Sequence, residues 1–289
     1  MTHPHKLSMQ VCSCRFPALL VAVCLALAPM AALAAPKAKL WDRWTAHNPQ
    51  STARIDHGAW QGLLQRYVRP HADGINRVAY GSVTADDRRV LEQYIARLAA
   101  LPISTYNRKE QRAYWINLYN ALTVKVILDH YPVKSIRKIK PGLLSIGPWR
   151  QKLVTVEGQQ LSLDDIEHRI LRPIWRDPRI HYAVNCAAVS CPSLQREPFT
   201  GANADALLTR AARQYVNTRY GVEIKDGRLV VSSVYKWYRE DFGRTDASLI
   251  RHLRQYAEPP LAAALARTQT VDDDRYDWSI NDASRVQPQ

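Results

Sequence analysis

A helix-rich α+β fold is what this chain predicts: a single domain with a small, mainly antiparallel sheet built from hairpins. Three observations carry that expectation. Apolar residues recur at helical spacing through the first half, most strongly over 108–130. Beyond that stretch the period changes, and hairpin signals at Glu157-Gly158 and Asp226-Gly227 stand among further helices. No regular alternation of strand and helix marks a doubly wound parallel sheet.

Taken in order, residues 35–56 read as a lead-in, opened by Ala35-Pro36 and turned at Asn48-Pro49. Trp60, Leu63, Leu64, Tyr67 and Val68 share one helical face. Thr84 is a predicted N-cap, with Asp86 and Asp87 in the favourable first turn. That helix carries Val90, Leu91, Tyr94, Ile95 and Leu98 and stops at Leu101-Pro102. In the helix over 108–130, Trp115, Leu118, Tyr119, Leu122 and Val126 form one apolar face. Asn117 and Asn120 lie within it. Each amide can hold a loop or orient a catalytic side chain, or else face solvent.

Residues 152–162 read as a hairpin, and Ser162 as the cap of a helix from Leu163, with Asp164 and Asp165 in its first turn. Residues 179–184 read as a short buried strand ending at Asn185-Cys186. A helix starts at Asp205. Residues 222–231 form the clearest hairpin, since Asp-Gly favours a type I′ turn between alternating strands. Helices are expected over 234–242 and 249–256, then a short helix after Pro259-Pro260. The whole gives one globular domain over 57–280 and a polar tail over 281–289.

The first 34 residues have the form of a secretory signal. Lys6 and Arg15 precede an apolar run, Ala18 to Ala28, and Ala32-Leu33-Ala34 is a small-x-small cleavage site. The run is short for a span, and no later segment approaches about 18 uninterrupted apolar residues, so no transmembrane anchor is expected. The protein is therefore expected to be exported, to the periplasm or beyond. Cys12, Cys14 and Cys24 leave with the leader, so Cys186 and Cys191 remain.

Forty Lys and Arg against 26 Asp and Glu give a net charge of +14. Such a surface suits an anionic envelope component or a peptide as partner; nucleic acid is not expected for an exported protein. The chain has no P-loop, no dinucleotide glycine fingerprint, no zincin His-Glu-x-x-His and no Gly-x-Ser-x-Gly elbow. Nucleotide-driven chemistry and ordinary serine hydrolysis lose ground accordingly.

Chemistry points to 181–192. Cys186 stands at a predicted element end, where a loop can expose a thiol that the fold holds still. A nucleophilic cysteine needs its thiolate, hence a nearby cation, base or donor. His168 is the preferred base. His181, five residues before Cys186, falls on the opposite face of a straight strand. Asn117, Asn120 or Asp241 can orient the imidazole or stabilise an oxyanion; Glu167 and Arg172 suit ion pairs. A Cys186–Cys191 disulfide, an inert cysteine pair and a zinc site using His168, His181, Cys186 and Cys191 stand as alternatives, although the spacing fits no familiar closed zinc motif. Trp237, Tyr238 and Phe242 are assigned to the core.

Several blocks add a resemblance. They are Tyr114 to Ala121, Leu161 to Arg172, Asn185 to Pro192, Trp237 to Phe242, and Tyr276-Asp277-Trp278. In order and spacing they resemble the bacterial "domain of unknown function 547" family, over roughly 100–245. The resemblance implies recurring positions at Cys186, Ser190, Glu167 and His168, and a likeness of Cys191 and His181 to bacterial members. It implies no established reaction and no cofactor. Two functions follow. One is an exported cysteine-nucleophile hydrolase or acyl transferase acting on an amide or ester in the cell envelope. The other is a non-catalytic envelope binding or scaffold module with a structural Cys186–Cys191 disulfide.

Overall fold

A computed structural model describes residues 1–3, 36–140, 142 and 146–284. The expected leader lies outside the described residues, apart from 1–3, and Ala35–Gln289 forms one compact unit. The fold is α+β, rich in helix, with small and mainly antiparallel sheets.

Helices α1 (Gly58–Tyr67), α2 (Ala85–Ala99) and α3 (Arg108–Asp129) form the first layer. Between α1 and α2, β1 (Val68–Arg69) pairs antiparallel with β2 (Arg77–Val78). Thr84 caps α2 by accepting from the Asp87 N–H, as its position predicts. Asn107 caps α3, its carbonyl accepting from the N–H groups of Lys109 and Glu110 at 3.1 Å each.

Sequence periodicity gives α3 one apolar face, yet the helix is buried on nearly every side. Its polar residues are therefore inside as well; Gln111, Asn117 and Asn120 are satisfied by backbone, whereas Arg112 pairs with Asp177 and Asp205. Gln111 donates to the carbonyls of Ala46 and Ile103. Asn117 brackets Phe199, donating to its carbonyl at 2.7 Å and accepting from its N–H at 3.1 Å. Asn120 donates to the Ala183 carbonyl and accepts from the Asn185 N–H, both at 2.8 Å.

The hairpin β3 (Val154–Val156) and β4 (Gln159–Leu161) turns at Glu157-Gly158, both with positive φ. Ser162 then starts a helix at Leu163. Its hydroxyl accepts from the Asp165 N–H while the Asp165 carboxylate accepts from Ser162. Residues Asp165–Leu171 are wound as π-helix and run into α4 (Arg172–Trp175). The lead-in lies on this turn, with Lys39 and Trp41 N–H bonded to the carbonyls of His168 and Arg169.

Helix α5 (Ala204–Val216) precedes β5 (Val222–Lys225) and β6 (Arg228–Ser232), whose turn at Asp226-Gly227 has the two positive φ values of a type I′ turn. Helices α6 (Ser233–Trp237), α7 (Asp246–Arg254) and α8 (Pro259–Ala266) follow. Strand β7 (Asp273–Arg275) then pairs parallel to β6. The helix expected over 234–242 stops at Trp237, and the chain continues in turns through Phe242. Asn281 and Asp282, assigned to a polar tail, are buried; the Asn281 carbonyl accepts from the Val78 N–H.

Two apolar clusters fill the unit. One surrounds α1 to α3 and the π-helix; the other lies among α5, β5, β6 and α7. Ala183, Val184 and Ala187 belong to the first, and Tyr182 and Val189 to the second. The cysteine segment thus runs along the seam between them.

Losing the Asn107 cap leaves two N–H groups of α3 without a partner. Asn107→Ala is expected to lower stability by about 1 kcal/mol. Urea unfolding checks this through a lower midpoint at unchanged m.

Candidate active site

The strand expected over 179–184 is a 3-10 helix, Pro178–Tyr182. The reason is local. Asp177 accepts from the Arg179 N–H as a cap, and Pro178 supplies a preset φ at the first position. The chain then bends. Asn185 accepts from the Ala187 N–H and donates to the Pro192 carbonyl, so one side chain ties both ends of the loop. Ala187 sits in the left-handed region at φ 59° with no exposure at all, a conformation that side chains rarely adopt without such support. Ser190 fastens the far side. Its hydroxyl accepts from the Asp277 N–H at 2.8 Å, its N–H donates to the Asp277 carbonyl, and its carbonyl accepts from Tyr215.

Both cysteines are free thiols, Cys186 half-buried and Cys191 buried. The sulfur of Cys191 accepts from the Cys186 N–H at 2.9 Å, and the Cys186 sulfur lies 3.1 Å from the Tyr276 hydroxyl. Hydrogen bonding from Cys191 lowers the Cys186 pKa below its ordinary value. Burial opposes this, and bonds from Tyr276 and the Ala188 N–H reinforce it. Burial and the neighbouring Cys186 push the Cys191 thiol well up. The pair is therefore asymmetric: one sulfur is biased toward thiolate and the other toward thiol.

Next to it lies a cluster of buried charge. The π-helix and the first residue of α4 place Glu167, His168 and Arg172 around Tyr238. Arg172 donates through Nε to Asp241 at 2.6 Å and through Nη1 to His168 Nδ1 at 3.1 Å. Arginine can only donate, so His168 carries its proton on Nε2, which faces Asp164 Oδ1 at 3.7 Å. Burial lowers the His168 pKa to about 4, against the field of Glu167 and helped by that of Arg172. Burial and Glu167 together raise Asp164 to about 6. His181 bonds Asp241 through Nε2 at 2.6 Å, and its Nδ1 is 3.8 Å from Glu167. Its ring stacks on Tyr238 at 4.3 Å with an 18° interplanar angle. Burial raises Asp241, but the bonds from His181 and Arg172 bring it down to about 2.

The structure brings Glu167, His168, His181 and Asp241 together. Asn120 and Ser190 hold the cysteine loop, and Asn117 stands apart at Phe199. Among the described residues no imidazole nitrogen is hydrogen-bonded to Cys186; Tyr276, Cys191 and the Ala188 N–H bond its sulfur. Asp241 orients an imidazole, but that of His181 instead of His168. Sequence reasoning did not select Tyr276, although it stands inside one of the blocks noted above. It placed Tyr238 in the core, where the structure has a half-buried ring between two histidines. Sequence reasoning assigns Asp164 only to the first turn of its helix, although its i,i+4 spacing to His168 is a signal that the two side chains meet. Among the described residues, no three His, Cys, Asp or Glu side chains gather around a common metal position. No helix there is long and apolar enough to cross a membrane.

A free, hydrogen-bonded thiol beside a buried imidazole–carboxylate cluster defines a candidate thiol site on an α+β scaffold. Residues 103–216 match the family described as "Protein of unknown function, DUF547", and this stretch of the chain is a domain of that family. The match takes in α3, the π-helix, the cysteine loop and α5, and ends before Tyr238, Asp241 and Tyr276. No curated protein and no solved structure matches the chain.

Three histidines are held neutral by burial: His57, His168 and His252, each lowered from 6.5 to about 4. Between those values the unfolded chain binds more protons, so stability falls as pH drops through the window. Each fully depressed histidine contributes roughly 3 kcal/mol. Asp164 opposes them, because the cost of ionising it fades below about pH 6. Three groups outweigh one, and the urea midpoint is expected to fall between pH 6.5 and 4. In His168→Gln the fall should be shallower; an unchanged slope would contradict this account of His168.

Proposed function

We propose that this chain is a thiol-dependent hydrolase or acyl transferase that acts on an amide or ester in the cell envelope after export, with Cys186 as nucleophile. The observation that carries the reading is the Cys186 sulfur itself: free, half-buried, and contacted by three donors that favour its thiolate. The thiolate sulfur bonds to the substrate carbonyl carbon, the C–N or C–O bond breaks, and the leaving group departs with the proton given up by the thiol. Water or a second nucleophile then takes the acyl group from sulfur.

The proton acceptor in this reading is the buried cluster. Glu167 lies close enough for its field to act on the sulfur, where it raises the thiol pKa against the three donors, and its carboxylate makes no hydrogen bond among the described residues. His181, oriented by Asp241, points Nδ1 at that carboxylate. Glu167 is thus placed to pass a proton between thiol and imidazole. A binding module stapled by a Cys186–Cys191 disulfide draws no support from two free thiols.

Alkylation by iodoacetamide at pH 7, read by mass spectrometry, tests the nucleophile. Cys186→Ala is expected to lose all labelling, since Cys191 is buried. Labelling equal to that of the parent chain would remove the proposal. Tyr276→Phe deletes one bond to the thiolate and is expected to raise the thiol pKa, slowing alkylation at neutral pH roughly tenfold.

A further inference from the structure

Across Tyr276 from the thiol lies a pocket of about 490 Å³, within the size range of small-ligand sites. Arg219, Lys225 and Arg275 line it, together with Glu223 and Asp277. Their charges do not cancel in place. Arg275 is consumed by Glu223 and by the Arg219 carbonyl. Arg219 stacks over Tyr220 and donates to its hydroxyl, and it has no carboxylate within 4 Å. Lys225 is exposed, and among the described residues no ion pair or hydrogen bond holds its ammonium. Two cations are thus left for a ligand. Asp277 is the remaining acid, and it is part of the segment that Ser190 fixes beside Cys186.

We propose that this pocket is a substrate subsite for a carboxylate-bearing peptide or aminoacyl group, with the carboxylate at Arg219 and Lys225 and a substrate N–H at Asp277. The assignment rests on the thiol reading above and names its substrate class. Two residues join the pocket to the thiol. Tyr276 forms its wall and reaches the Cys186 sulfur at 3.1 Å, and Ser190 both lines the pocket and belongs to the cysteine loop. A group seated there lies one side chain away from the nucleophile. Binding it places the acyl carbon at the sulfur and converts remote contacts into rate. The mixed charge also explains the choice of ligand. A simple polyanion gains at the two cations but meets Asp277, whereas a peptide carboxylate with its own N–H satisfies both ends.

Two measurements on the chain as it stands test this. In the first, N-bromoacetylglycine and N-bromoacetylglycinamide compete for Cys186. The carboxylate probe is expected to alkylate at least about tenfold faster than the amide, after correction for their rates with glutathione. Arg219→Gln with Lys225→Gln should erase that preference. Lys109→Gln with Lys138→Gln removes the same charge elsewhere and should retain it. An equal ratio in the parent and the pocket variant overturns the subsite. In the second, calorimetry compares N-acetylglycylglycine with its amide, which needs no reactive thiol. Tighter binding of the carboxylate, lost in the pocket variant, supports the subsite even if neither bromoacetyl probe labels Cys186, an outcome that would sink the thiol reading alone. Equal binding of acid and amide overturns the subsite whatever the thiol does.

Discussion

One amide, that of Asn120, fixes where the cysteine segment leaves the protein interior. It donates to the Ala183 carbonyl and accepts from the Asn185 N–H, so two backbone groups either side of the bend close on a single side chain. Both would otherwise be buried without partners, at a cost of about 1–3 kcal/mol each. The helix that carries Asn120 is itself immobilised by burial on nearly every face. Rigidity therefore passes from the core of α3 to the loop, and through Asn185 to the left-handed turn at Ala187. Only with that turn in place do the Ala188 N–H, Cys191 and Tyr276 all reach one sulfur.

Around that sulfur the protein keeps an arrangement that a purely structural interior would avoid. Arg172, Asp241, Glu167 and two imidazoles are all withdrawn from water to a large degree. Ion pairs in such places return little net stability, because desolvation offsets most of the attraction. Arg172 and Asp241 are well satisfied, with Arg172 also donating to the Pro36 carbonyl. Glu167 is not: two imidazole nitrogens stand 3.8 and 3.9 Å away, beyond hydrogen-bonding range. Perturbed groups concentrated in this way make the cluster a candidate for proton handling.

What could be read from sequence was what local rules determine. The cap at Thr84, the two positive-φ turns and the Ser162 start are short-range hydrogen-bond problems, and their residue types state the solution. Cys186, Glu167, His168, His181 and Asp241 were legible as a neighbourhood from their residue types: a thiol, two imidazoles and two carboxylates. Their partners were not legible, since partner choice is a property of tertiary packing. The strand assumed over 179–184 illustrates the dependence. It put His181 on the wrong face for the site, whereas the Asp177-Pro178 start winds the segment as a 3-10 helix and brings His181 to Asp241. Strand β7 and Tyr276 were hidden for another reason. A parallel pairing between β6 and a segment more than forty residues on leaves no periodic trace, and Asp273-Asp274-Arg275 has none of the apolar character of a strand.

That last pairing bears on how the site is assembled. The family match supplies Asn120, Glu167, His168, His181, Cys186 and Ser190, all within residues 103–216. It supplies neither Asp241, which orients His181, nor Tyr276, which meets the sulfur. Asp241 arrives by the turn after α6, and Tyr276 by the exit of β7 along β6, where Ser190 receives the next residue's N–H. Within the matched stretch alone, Cys186 would keep Cys191 and the Ala188 N–H but lose its hydroxyl donor, and His181 would lose the carboxylate at Nε2. The C-terminal segments are therefore integral to the candidate site, which draws on the unit from the lead-in at Pro36 to Tyr276.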